Sequence, residues 1–161
     1  MKNNLAYNSL FLAAALVLSY IESLIPIVYP VPGMKLGLPN MAIVMLLYMG
    51  YTRSAFIVDI LRIVISGFMF GSLFGILFSI SGAVFSFAIM YFIKKIDVFS
   101  IIGTSVCGGI IHNMAQLIVA MFVVKISGIV YYLPLLVLGG MITGFINGFI
   151  ASRVIPVIKK L

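Results

Sequence analysis

Apolar residues run along this chain in blocks, broken by short polar turns, and each block can be measured against a bilayer. A helix needs about 20 predominantly apolar residues to cross one. The pattern predicts six spans, at about 5–27, 38–50, 55–70, 72–93, 100–124 and 131–155. The second and third are short, and the turn Gly50-Tyr51-Thr52-Arg53-Ser54 separates them. Ala13-Ala14-Ala15 offers small residues of the kind found at signal cleavage sites. The apolar run continues well past them, so the first block reads as an uncleaved helix. The expectation is an all-α, integral membrane six-helix bundle, with residues 1–161 forming one transmembrane domain.

Composition agrees. The chain is 64% hydrophobic and 8% charged, whereas soluble domains carry roughly 25% charged residues. Such a chain cannot cover its outside with polar groups in water. The single cysteine, Cys107, lies inside an apolar run. It excludes a disulfide framework and any cysteine-based metal cluster. The net charge of +7 raises nucleic acid as a partner, but the ten Lys and Arg form no basic run or face. No nucleic acid is expected.

The basic residues instead orient the chain. With six spans, both termini share a side with the second and fourth loops. That side carries Lys2, Arg53, Lys94, Lys95, Arg153, Lys159 and Lys160; the other carries Lys35 and Lys125. The bias places both termini in the cytoplasm of a multi-pass cell-membrane protein. Merging the second and third spans would send the basic C-terminus outside, which supports the count of six.

Small residues recur at every fourth position in two spans: Gly140, Gly144 and Gly148 in the last, and Gly71, Gly75, Ser79 and Ala83 in the fourth. Such stripes let helix backbones approach closely, within the monomer or against a partner.

Ionisable groups inside spans are expensive and point to function. Here they are Glu22, Asp59, Arg62 and His112, with Asn113 and Gln116 beside the last. Helical spacing aligns Ala55, Asp59, Arg62 and Ser66 on one face, Ala15, Ser19 and Glu22 on another, and Gly108, His112 and Gln116 on a third. At 1.5 Å per residue from the cytoplasmic end, Arg62 sits about 10–14 Å in, His112 about 18 Å, and Glu22 and Gln116 about 25 Å. The set forms a slanted patch opening outward, beneath a first loop rich in proline and glycine (Pro26, Pro30, Pro32, Gly33, Gly37, Pro39) that carries Lys35.

The expected binding site comprises Glu22, Lys35, Asn40, Asp59, Arg62, His112, Asn113 and Gln116. Lys35 and Arg62 would hold an anionic group of a small-molecule substrate, and Glu22 with His112 would orient its polar head. The first loop reads as a gate, its glycines permitting and its prolines limiting motion. Plainer readings stand beside these. Asp59 and Arg62 at i,i+3 can be a structural ion pair, His112 a satisfied core histidine, Glu22 an interfacial residue, and the lysine loop a connector.

Catalysis is poorly provided for. One histidine and three acids, with Asp97 far from Glu22 and Asp59, leave no Asp-rich cluster for magnesium on a diphosphate. A P-loop is also lacking. The chain reads as a binder or carrier and not an enzyme, with no cofactor and no metal expected.

The segments LVLSYIESLIP, PVPGMKLGLPN, LRIVISGFMFGSLF, SISGAVFSF, SIIGTSVCGGIIHNMAQLIVA and YYLPLLVLGGMITG, in this order, resemble a known family along nearly the whole chain. These are the small bacterial membrane proteins called heptaprenyl diphosphate synthase component I, or the Gx transporter family. That family is similar to the substrate-binding S components of energy-coupling-factor vitamin transporters. The resemblance implies one of two roles. An S component captures a nutrient outside and docks on a transmembrane coupling subunit driven by ATPases. A component I is a non-catalytic membrane accessory to a prenyltransferase making the menaquinone side chain. S components often carry Ala-x-x-x-Ala in the first helix; here the nearest patterns are Ser9-x-x-x-Ala13 and Ala15-x-x-x-Ser19.

Overall fold

A computed structural model describes residues 2–25, 37–125 and 127–160. Six α-helices and one 3-10 helix account for most of them, with no strand among the described residues. They are α1 (Lys2–Leu24), α2 (Asn40–Tyr48), α3 (Thr52–Phe70), α4 (Leu73–Ile96), α5 (Ile101–Val124) and α6 (Leu133–Ile158). The 3-10 helix (Ser127–Tyr132) precedes α6 and takes the place where the sequence pattern starts its last span.

Four segments are long and apolar enough to cross a membrane: Leu5–Leu24, Leu73–Ile96, Ile101–Val124 and Gly128–Ile158. The other two helices differ in kind. α2 has 9 residues, a rise of about 13 Å, which is less than half of the roughly 30 Å hydrocarbon core. α3 has 19 residues but includes Arg53, Asp59 and Arg62. α3 carries the buried Asp59 and Arg62, while the long spans α1, α5 and α6 also bring polar groups inside, among them Glu22, His112, Gln116 and Asn147.

Local chemistry sets the helix ends. Ser72 and Ser100 cap α4 and α5, their hydroxyls accepting from the amides of Gly75 (3.1 Å) and Gly103 (3.2 Å). α4 and α5 stop at Asp97 and Lys125, both in the left-handed region at φ 55°. Near the end of α4, the Lys94 ammonium donates to the Leu47 carbonyl at 2.5 Å and lies over the Tyr48 ring. The Leu47 carbonyl also accepts from the Gly50 amide at 3.2 Å, so the ammonium adds a second donor at the C-terminus of short α2.

Two apolar clusters hold the bundle. One gathers α2 (Ile43, Leu46, Leu47) with Phe11, Ala55, Val58, Ala151 and Ile155. The other joins Phe78, Leu117 and Ala120 to Ile129 and Leu136 at the far end. Outward-facing side chains are large and apolar, with Phe68, Phe122 and Tyr131 among the most exposed. That surface suits lipid, not water.

The closest packing is between α5 and α6. A Cβ on Gly140 would lie 2.6 Å from the Gly109 carbonyl oxygen, and one on Gly144 2.7 Å from that of Ser105. On Gly148 it would lie 2.7 Å from Ile102 Cα. Since backbone atoms cannot swing aside, the small-residue stripe of the last span packs within the chain. In α4, Gly75, Ser79 and Ala83 are likewise buried in the bundle, while Gly71 is exposed.

Adjacent glycines give a controlled test. Gly140→Ala should lower stability by roughly 1–3 kcal/mol, as overpacking does. Gly139→Ala, whose nearest contact is Asn113 Nδ2 at 3.9 Å, should leave it nearly unchanged. Thermal unfolding of both variants in the same detergent measures the difference.

Candidate functional site

The polar interior is organised by one face of α3. Ala55, Asp59, Arg62 and Ser66 all lie along it and all are buried. Arg62 donates to Asp59 Oδ1 from Nε (2.9 Å) and from Nη2 (2.7 Å). Nη2 also donates to Asn40 Oδ1 at 2.6 Å. The i,i+3 spacing makes the ion pair local to the helix, and both side chains are almost fully shielded, at 3% and 4% exposure. A guanidinium has five N–H groups. Among the described residues, the two on Nη1 meet no acceptor.

Asn40 opens α2, and the residues just before it are held from two sides. The Gly37 amide donates to Glu22 Oε1 at 2.6 Å. The Gly37 carbonyl accepts from Asn147 Nδ2 at 2.9 Å. Gly37 takes φ 88°, which glycine adopts readily and other residues rarely. A Cβ there would also come within 2.9 Å of Asn40 Nδ2. Glu22 on α1 and Asn147 on α6 therefore fix the strand of chain that delivers Asn40 to Arg62.

On α5, His112 and Gln116 pair through Nε2 atoms 3.0 Å apart. The imidazole lies on Gly82 of α4, where a Cβ would approach ring atoms to 2.8–2.9 Å. Asn113 points elsewhere, donating to the Leu136 carbonyl at 2.8 Å and tying α5 to α6.

Of the eight residues expected to form a site, Asn40, Asp59 and Arg62 make one bonded unit, and Glu22 joins it through Gly37. His112 and Gln116 form a pair beside it, and Asn113 serves the α5–α6 seam. Lys35 lies outside the described residues. Asn147 and Thr143, both buried on α6, are absent from the sequence-derived set. Their signal was available: an amide within an apolar span is itself costly.

A chamber of about 10 Å³ adjoins this unit, walled by Asn40, Ser86, Met90, Ser105, Thr143 and Asn147 among others. That is about the space of one water. Larger hollows lie on the outer surface of α5 and are apolar. One, of about 220 Å³, is walled by Phe85, Ile111, Met114 and Ile118, and another, of about 480 Å³, by Ile118, Met121, Phe122 and Lys125. Among the described residues no group of three His, Cys, Asp or Glu could hold a metal ion.

The ion pair makes a clear energetic prediction. Arg62→Met strands the Asp59 carboxylate in the interior and should cost about 3–5 kcal/mol, the usual penalty for breaking a buried pair. Adding Asp59→Asn should recover much of that loss. Unfolding midpoints of the two single variants and the double variant give the coupling.

No curated protein and no solved structure matches this chain. The family model described as heptaprenyl diphosphate synthase component I matches residues 11–154. That range takes in α2 to α5 whole and most of α1 and α6, with all eight residues of the expected site, and the chain belongs to the heptaprenyl diphosphate synthase component I family.

Proposed function

We propose that this chain is a non-catalytic membrane subunit of a heptaprenyl diphosphate synthase, working beside a prenyltransferase that performs the chemistry. The observation that carries the reading is the family match across residues 11–154. Prenyl elongation requires carboxylates to hold magnesium against diphosphates. The three acids here are Glu22, Asp59 and Asp97. The first bonds the Gly37 amide, the second pairs with Arg62, and the third ends α4. None is arranged for that work, so the partner supplies it. In this reading the end bearing Arg53, Lys94, Lys95 and Lys159 faces the cytoplasm, which the bias of basic residues supports, and a soluble enzyme would meet the membrane there.

A second reading is favoured by the interior itself. A plain anchor has no need of a buried arginine, which is expensive at bilayer depth. In this reading the chain captures a small anionic molecule, with Arg62 and Lys35 contacting its charge. Glu22, Asn40, His112 and Gln116 supply neutral or accepting contacts, and Asp59 holds Arg62 in place. Asn113 supports the wall. Uptake would then require a transmembrane coupling subunit with ATPases.

Purification from the native host separates the two. For the synthase subunit, the expected result is co-purification with a soluble prenyltransferase, together with loss of heptaprenyl diphosphate formation when this chain is deleted. A prenyltransferase that stays intact and active without this chain, and a small molecule retained by the chain in native mass spectrometry, would favour capture instead.

A further inference from the structure

The chamber beside Asn40 has a lining that its own neighbours do not satisfy. Ser86 on α4 and Ser105 on α5 are each 3% exposed. Serines within apolar helices commonly bond a carbonyl of their own helix, and here Ser66, Ser81 and Ser152 do so. Among the described residues, the hydroxyls of Ser86 and Ser105 bond nothing. Asn147 uses its amide nitrogen on Gly37, and its Oδ1 has no donor among the described residues. Buried polar atoms are ordinarily hydrogen-bonded. Three polar atoms facing one hollow, whose wall also holds Asn40, the partner of Arg62, form a receptive surface.

What limits the hollow is Met90. Its side chain is 3% exposed and forms part of the wall. It packs on Gly108, where a Cβ would lie 2.5 Å from the Met90 sulfur. An unbranched thioether with three rotatable bonds is the side chain best suited to fill such a space and leave it again.

We propose that this chamber is a ligand subsite. It takes the uncharged hydrogen-bonding groups, hydroxyl or carbonyl, of a small anion whose charge is held by Nη1 of Arg62, and Met90 swings aside to admit them. The proposal rests on the small-anion reading of the interior. Ser86, Ser105 and the Asn147 carbonyl supply donors and an acceptor of neutral character, matched to a neutral group. Asn40, which lines the chamber, accepts from Arg62, so a fixed positive charge stands behind that wall.

The test uses the full chain in detergent with Cys107→Ser, and either Ser105→Cys or Ser86→Cys as reporter, so that one reporter remains if the other fails to fold. Each is treated with two methanethiosulfonate probes of similar size, an ethylsulfonate anion and an ethyl-trimethylammonium cation. Rates are normalised to those of the unfolded chain. The anion should react faster by about tenfold, the low end of electrostatic focusing in a lined cleft. Met90→Ala should accelerate both probes several-fold, and Arg62→Gln should abolish the charge preference while keeping that acceleration. If Met90→Ala accelerates neither probe at either cysteine, the subsite is overturned. If it accelerates both but no charge preference exists, the anion at Arg62 is overturned and with it the reading beneath.

Discussion

A guanidinium shielded inside a helical bundle must find its hydrogen bonds within the protein, and Arg62 is where this fold meets that requirement. Asp59 pairs with it from one turn earlier in the same helix, and Asn40 arrives from another helix to accept a further N–H. To place Asn40, the chain must begin α2 deep inside, so α2 is short. To begin α2 there, Gly37 must be anchored, which Glu22 and Asn147 accomplish from opposite sides of the bundle. Burial of one cation thus propagates into the length of one helix and the position of two others.

Around that polar layer the packing is of two sorts. Apolar clusters close the bundle at either end, while α5 and α6 meet backbone to backbone through glycines. In lipid no hydrophobic drive separates buried from exposed leucine, so close van der Waals approach and interior hydrogen bonds carry the association. The Asn113 amide on the Leu136 carbonyl adds one such bond at the tightest seam.

Much of this could be read from residue order. Long apolar blocks announce membrane helices because length and hydropathy are set by bilayer thickness, and the faces of α1, α3 and α5 followed from helical spacing. The small-residue repeat in α6 was visible, but periodicity cannot say whether a glycine stripe meets its own chain or another. Asn147 was legible in principle, as an amide in an apolar span, yet its partner is a carbonyl 110 residues earlier. Pairings of that sort depend on tertiary placement. The same holds for Asn113, which shares a helix with His112 but faces about 100° away and serves the α6 seam. The role of Lys94 was hidden too. It reads as a topogenic charge, but its ammonium also closes the end of α2.

The attachment of Gly37 has a mechanical side. Its amide hangs from the first helix and its carbonyl from the last, so a single residue measures the gap between the two ends of the fold. A slide of α1 against α6 by an ångström or so would stretch one bond or the other. The strain would pass along three residues to Asn40 and tug on the guanidinium. Relative movement of the first and last helices is thereby geared to the electrostatic centre through Gly37 and Asn40.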